Sequence, residues 1–293
     1  MTEETKEIAG EKLRFVDLFC GIGSFHYSFK ELGWECVMAC DINEHVRETY
    51  YKNYGLKPLG DIKSIDPVKI PEYDILCAGF PCQPFSQCGK HKGFNDDRGN
   101  LFFDILRLVD TNRPKIICLE NVKGLLSHNK GDTFKRIKDE ITSRGYKIAS
   151  KVLTCSDYGL PQMRKRLFII AVLNTENLSK NIDNILNLSS YETSVSLTDF
   201  FNRNFEKNTA YTIRCGGRRS KIDDKHNWDG YMVDGNEYRL TKSDCLQLQG
   251  FPSDFNLCGS EIQQWKQLGN TIPTIFTKII GLSILKHSSK EFE

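Results

Sequence analysis

Several features that announce a compartment or a chemistry are missing from this chain of 293 residues. No uninterrupted apolar run reaches membrane-spanning length, so no membrane partner is expected. Residues 1–11 are charged rather than apolar, which argues against a signal peptide. The eleven cysteines include no C-x-x-C pair and no Cys/His spacing of a zinc site. Thiol–disulfide redox chemistry is therefore disfavoured, and no metal is expected. Cys36, Cys40, Cys77 and Cys118 sit in apolar runs and read as small buried hydrophobes. Together these absences describe a reduced, cytoplasmic protein. Internal repeats and low-complexity tracts are also missing, and a formal net charge of +2 neither demands nor forbids a polyanionic partner.

What is present is ordinary soluble composition, 39% hydrophobic and 27% charged, long enough for one large α/β domain with a smaller companion. Apolar runs at 13–19, 35–40, 74–78, 115–119, 147–153 and 166–172 read as buried strands. Helical spacing falls between them at 24–32, where Ser24 is placed as the cap, and at 43–54, 101–109 and 132–143. A further short strand is expected to end at Asp61. Alternating strands and helices predict an α/β fold, a doubly wound and mostly parallel sheet. At Asn174 the composition turns rich in Asn, Ser and Gly, and a small module is expected at 174–258. The large domain then comprises 1–173 plus 259–293, its tail carrying Gly269-Asn270-Thr271-Ile272-Pro273 before an apolar helix.

Chemistry in open α/β sheets gathers beyond the carboxyl ends of strands. Cys82 follows the 74–78 strand, and Glu120 ends the 115–119 strand. A sulfur nucleophile and an acid at neighbouring strand tips suit covalent catalysis with proton transfer. The first βα turn carries Gly21 and Gly23, and the second strand ends in Asp41, twenty positions past Gly21. That geometry suits a ribose-bearing ligand. His26 stands where a third glycine would complete G-x-G-x-x-G, so a pyrophosphate dinucleotide is disfavoured and an adenosine ligand favoured, with Asp61 on the adenine. Two glycines alone would say no more than tight turn.

Six segments together are more specific. Residues 17–25 (DLFCGIGSF), 79–86 (GFPCQPFS), 120–122 (ENV), 162–166 (QMRKR), 239–252 (RLT through LQGFP) and 269–273 (GNTIP) resemble, in order and spacing, the motifs of cytosine-5 DNA methyltransferases. The resemblance spans about residues 14–173 and 239–280, and the compact length is similar to a prokaryotic restriction-modification methylase. It implies a Rossmann-like methyltransferase core with a small target-recognition domain, S-adenosylmethionine as donor and S-adenosylhomocysteine as product. By position, Phe19, Gly21, Gly23, Asp41, Ile42, Asp61, Ile62, Pro81, Leu101 and Asn270 would form the cofactor site. Many members carry glutamate where Asp41 stands, so the ribose contact is made here by a shorter acid.

The residues then acquire roles. Cytosine C5 is a poor nucleophile until a thiolate, Cys82, adds to C6, and protonation at N3 by Glu120 relieves the charge. Arg164 and Arg166, on one face at the start of a strand, orient Glu120, hold the cytosine carbonyl oxygen or stabilise the Cys82 thiolate. The target base lies inside the duplex stack and has to be flipped out. The 83–99 loop suits a closing lid, with Lys90, Lys92 and Arg98 for phosphates, and Ser86 either touches a phosphate or caps a turn. In the small module, Arg214, Arg218 and Arg219 are the candidates for DNA contact.

The expected partner is double-stranded DNA, bound by a monomer that is nucleoid-associated through it. A restriction endonuclease would share the target sequence without binding directly. Two other readings stand beside this one. An RNA-modifying branch of the family shares Pro-Cys and Glu-Asn-Val, but its Cys-Phe-Thr tripeptide is missing here. A catalytically dead DNA-binding protein would have lost Cys82, Glu120 or the arginines, and all are present.

Overall fold

The computed structural model describes residues 12–81, 101–175, 179–180, 182–190 and 195–288. Strands β1 (Arg14–Leu18), β2 (Glu35–Cys40), β3 (Ile75–Gly79), β4 (Ile116–Val122), β5 (Tyr146–Thr154) and β6 (Lys165–Leu173) form one sheet in the order β2-β1-β3-β4-β6-β5. The first four run parallel. β6 is antiparallel to both its neighbours, β4 and β5. The sheet is thus mostly parallel, as expected. The chain goes from β1 outward to β2 and returns across β1 to β3, so a topological switch point lies between β1 and β3.

Side-chain alternation explains why helices must cover both faces. One face presents Val16, Leu18, Leu76, Ala78, Ile117, Leu119, Leu167 and Ile169. Helices α3 (Leu101–Asn112) and α4 (Asp132–Thr142) bury Phe102, Ile105, Leu108, Ile137 and Ile141 against it. The residues in between, Phe15, Ile75, Cys77, Cys118, Phe168 and Ile170, point the other way. They meet Phe25 and Phe29 of α1 (Ser24–Glu31) and Phe276, Ile280 and Ile284 of the C-terminal helix, Thr274–Ser288. Ile182, Ile185 and Leu186 join this second face although they follow position 174. Among the described residues, the stretch 261–288 is apolar and long enough to be compared with a membrane-spanning helix. It divides at Thr271–Pro273, and its larger part is buried in the core.

The segments after β6 form a third core. Leu197, Phe205, Ile213, Trp228, Tyr231, Val233, Leu240, Cys245 and Leu248 pack with Ile22 from the first turn and with Trp265 and Leu268. A hairpin of β7 (Gly230–Val233) and β8 (Asn236–Arg239) lies within it. The helix after it, Lys242–Leu248, starts with a reciprocal capping box between Thr241 and Asp244.

Two local expectations are corrected. Ser24 does not cap α1: Gly23 holds that position with φ of 89°, and the Ser24 hydroxyl instead donates to Ile272 O at 2.5 Å. Asp61 does not end a strand: a single bridge joins Cys40 to Leu59, and Asp61 then caps a short 3₁₀ turn, accepting from Lys63 N. At Ser24 a long-range partner outweighs local propensity, and at Asp61 a local capping bond starts a turn in place of a strand.

The Phe168 ring is fully buried and meets Phe276 edge to face at 5.6 Å. Phe168→Ala should cost about 3–5 kcal/mol in urea unfolding, and Phe168→Leu clearly less. Equal losses for the two would contradict the packing described here.

Candidate active site

The parallel strands deliver their carboxyl ends to one rim of the sheet, and a cleft of about 620 Å³ opens there. Its lining includes Phe19, Gly21, Asp41, Pro81, Glu120, Arg166 and Asn270, all named from the sequence. The tail reaches the cleft because its 269–273 segment is tied to α1: Ser24 donates to Ile272 O, and Ser28 to Thr274 O.

The glycine turn is held in an unusual backbone. Phe19 and Gly21 both take left-handed φ, 53° and 54°. For a bulky residue such as Phe19 this is strain, kept where the surroundings over-determine it. Asp41 supplies part of that determination: its Oδ2 accepts from Gly21 N at 3.1 Å and its Oδ1 from Asn43 N at 2.9 Å. Burial raises the Asp41 pKa, opposed by those two backbone donors and by Arg47. Below the turn, the Tyr54 hydroxyl donates toward Ile22 O and Gly23 O at 3.1 and 2.9 Å. Tyr54 also leaves no room for a side chain on Gly23, whose Cβ would lie 2.3 Å from the ring. Tyr54 stacks on His26 with ring centroids 4.2 Å apart, and the His26 Nδ1 lies 2.8 Å from the Tyr50 hydroxyl. That hydroxyl reaches Asp17 Oδ2 at 3.4 Å. Asp17 is buried in the sheet, and desolvation pushes its pKa well up.

On the other side of the cleft, Glu120 and Arg166 form an ion pair at 2.8 Å. The antiparallel register produces it. Glu120 lies opposite Phe168, so Arg166, two residues earlier on β6, is its diagonal neighbour on the same face. Desolvation raises the Glu120 pKa, and Arg166 and then Arg164 pull it back without cancelling the rise. The carboxyl is thus poised to hold a proton at higher pH than an exposed glutamate.

Arg164 has a different place. It is fully buried and donates to the carbonyls of Ile213, Gly269 and Thr271 at 2.8, 2.9 and 2.7 Å. Burial, and secondarily Arg166, lowers its pKa to about 9. Its hydrogen bonds join the third core, the tail turn and β6. Gln162 does similar work, donating to Leu248 O and accepting from Ile213 N. Gln249 closes the junction by donating to Leu268 O at 2.7 Å.

Other expected residues lie elsewhere. Gly23, Ile42, Asp61, Ile62 and Leu101 are not part of the cleft lining. Ile42 is highly exposed, Ile62 is core, and Leu101, the first residue of α3, is half-buried against the core on that face of the sheet. Arg218 stacks 3.5 Å over Trp265 and pairs with the buried Asp229 and with Glu261, each at 3.7 Å. Arg214 donates to His226 O at 2.6 Å. Arg219 is exposed, with its backbone N–H on Asp229. Cys82, Ser86, Lys90, Lys92 and Arg98 lie outside the described residues, as does the expected lid at 83–99. The cleft also includes Asn43, Val46, Asn121, Lys266, Gln267 and Thr271, which sequence reasoning missed. Lys266 and Gln267 sit about one helical turn before Asn270, a spacing that pointed to them. Among the described residues, no group of His, Cys, Asp or Glu is arranged to hold a metal.

The lowered His26 pKa, about 4, has burial as its main cause, followed by Lys30. The unfolded chain takes up a proton near pH 6.5, while the folded chain refuses it until about pH 4, so this residue's contribution to stability is lost as pH falls through that window. The stability difference between the wild type and His26→Gln should therefore shrink by about 2 kcal/mol between pH 7 and pH 5. A pH-independent difference in urea unfolding would contradict a neutral buried His26.

Comparison with known proteins agrees with this geometry. The family described as C-5 cytosine-specific DNA methylase matches residues 13–232 and 201–286. The type II methyltransferase M.HhaI of Haemophilus parahaemolyticus is 34% identical over 314 aligned positions, covering 95% of each chain. M.MspI of a Moraxella species is 35% identical over 94% of this chain and 72% of its own. Among solved structures, the S. pombe Dnmt2 methyltransferase has the same fold, with a TM-score of 0.68 at 20% identity over 93% of this chain and 98% of that one. The Entamoeba histolytica methyltransferase EhMeth gives 0.65 at 20% identity, over 97% and 100%.

Proposed function

Because the chain belongs to the C-5 cytosine-specific DNA methylases and is a DNA (cytosine-5)-methyltransferase, we propose that it modifies a flipped-out cytosine in duplex DNA through a covalent Cys82–C6 bond. The observation that carries this reading is the Glu120–Arg166 pair, held in the same cleft as Phe19, Gly21, Asp41 and Asn270. An acid whose pKa burial raises and an adenosine-type cradle therefore share one chamber.

S-adenosylmethionine fits that cradle. About 620 Å³ is within the usual range for a small-molecule site. The Asp41 carboxylate accepts two backbone N–H groups and retains lone pairs for ribose hydroxyls. Phe19 offers an aromatic face, and Asn270 and Gln267 offer amides. Bound there, the cofactor supplies an electrophilic methyl to C5 of the base.

The protein's part is nucleophilic and acid–base. Cys82 forms a bond to C6 while Glu120 places a proton on N3, so that the electron pair pushed into the ring becomes available at C5. Arg166 keeps Glu120 oriented and limits how far burial raises its pKa. After methylation the C5 proton departs to a base or to water, the C6–S bond breaks and releases the Cys82 thiolate, and N3 returns its proton to Glu120 as the aromatic ring is restored. The segment between β6 and the tail, 174–258, acts as the target-recognition module on duplex DNA, apart from the 182–186 stretch that packs on the large sheet. The enzyme acts as a monomer in a cytoplasmic restriction-modification setting.

Transfer of labelled methyl from S-adenosylmethionine to mixed-sequence genomic duplex DNA tests this. The wild type should label it at C5 of cytosine. Cys82→Ala should lose transfer while still binding S-adenosylhomocysteine by calorimetry, and Glu120→Gln should fall by about 10²-fold or more. Undiminished transfer by Cys82→Ala would sink the mechanism.

A further inference from the structure

Of the three arginines expected to meet DNA, Arg218 is engaged with protein and Arg214 has one guanidinium nitrogen on a protein carbonyl. Free positive charge at the rim of the cleft lies instead just past Glu120. Lys123 follows Val122 at the end of β4, and Val122 is paired with Arg166 on β6. Lys123, the first residue after β4, and Lys165, the first residue of β6, flank that pair, and both are exposed. Like charges gathered at one end of a strand pair are unfavourable unless an anion lies between them. Among the described residues, neither has an acidic partner.

The backbone beyond Lys123 is built tightly. Leu125 is fully buried and anchors the turn. His128 Nδ1 lies 2.7 Å from the Thr133 hydroxyl. Between these anchors, Asn129 and Lys130 take left-handed φ of 49° and 56°, followed by Gly131 at 94°. Two successive non-glycine residues in this region carry strain of about 1–2 kcal/mol each. The strained pair is exposed, and Lys130 too has no acidic partner among the described residues. From 123 to 138 the bases Lys123, Lys130, Lys135, Arg136 and Lys138 face a single acid, Asp132.

We propose that Lys123, Lys165 and the left-handed Asn129–Lys130 turn form a ridge that grips backbone phosphates of the DNA beside the flipped cytosine. The proposal rests on the methyltransferase reading and adds, to the residues expected from the sequence, a further surface by which the catalytic domain holds the duplex. Its placement follows from topology, since β4 carries Glu120 into the cleft and the chain passes from its last residue, Val122, directly into the turns of 123–131. Phosphate contacts of this kind fix register without reading sequence.

The test is binding of a fluorescein-labelled mixed-sequence duplex, by anisotropy, from about 50 to about 200 mM salt. The triple variant Lys123→Ala/Lys130→Ala/Lys165→Ala should bind about tenfold or more weakly at the low-salt end. Its slope of log affinity against log salt should be shallower by about 0.9 for each lysine that meets a phosphate. The triple arginine variant should restore both values. Lys69→Ala, a charge lost at the opposite end of the sheet, should change neither. Calorimetric binding of S-adenosylhomocysteine without DNA should be unaltered in every variant. Wild-type affinity and slope in the triple alanine variant would overturn the ridge while leaving the methyltransferase reading intact. Failure of the wild type to bind duplex DNA at all would overturn that reading and the ridge with it.

Discussion

The cleft depends on one buried cation. Among the described residues, Arg164 has no carboxylate on its guanidinium; its Nη1 and Nη2 donate to three backbone carbonyls, of Ile213, Gly269 and Thr271. Burying a guanidinium this way is costly, and its lowered pKa registers that cost. Three charge-assisted hydrogen bonds, each worth about 1.5–3 kcal/mol, offset it. In return, three parts of the chain distant in sequence are fixed relative to one another. The start of β6 lies beside the end of β4, the tail turn lies on the cofactor side, and the third core lies across both. Arg166, two residues along, then falls where it meets Glu120.

Around that junction the polar groups divide into two sets. Gln162, Gln249, Ser24 and Ser28 spend their hydrogen bonds on backbone groups and hold the walls together. Glu120, Asp41, Lys266 and Asn270 face the cleft. The strained Phe19 and the Tyr54–His26–Tyr50–Asp17 column beneath the glycine turn show how far the scaffold goes to hold a particular backbone shape. Shape and acid–base chemistry are in this sense separated: Arg164 and the polar contacts to backbone set the shape, and the groups that face the cleft carry the reactivity.

Much of this was legible in the residues. The apolar runs marked all six strands of the main sheet, and the β/α alternation pointed to its mostly parallel character. The motifs placed Glu120, Arg166, Asp41 and Asn270 in one site before any coordinates. The antiparallel direction of β6 was not legible, because a fully apolar strand reads the same in either direction. Nor was the division between Arg164 and Arg166: alternation put them on one face, but their partners lie at 213, 269 and 271 for one and at 120 for the other. The protein partners of Arg218 were hidden for the same reason. A glycine-flanked arginine cluster looks solvated until Trp265 and Asp229 arrive from elsewhere in the chain. Asp61 and Ser24 were assigned by local pattern; a long-range bond to Ile272 O took the Ser24 hydroxyl, and Asp61 caps a turn where a strand end was expected.

The central claim is that Cys82 attacks the base while Glu120, held by Arg166, protonates it. Incubation with S-adenosylmethionine and duplex DNA containing 5-fluorocytosine, read on a denaturing gel, addresses it most directly, because fluorine at C5 blocks the final elimination. The account predicts a stable protein–DNA adduct in the wild type, markedly slower formation in Arg166→Ala, and none when Cys82 is alanine. An adduct that persists without Cys82, or a wild type that methylates ordinary DNA yet is never trapped, would contradict it.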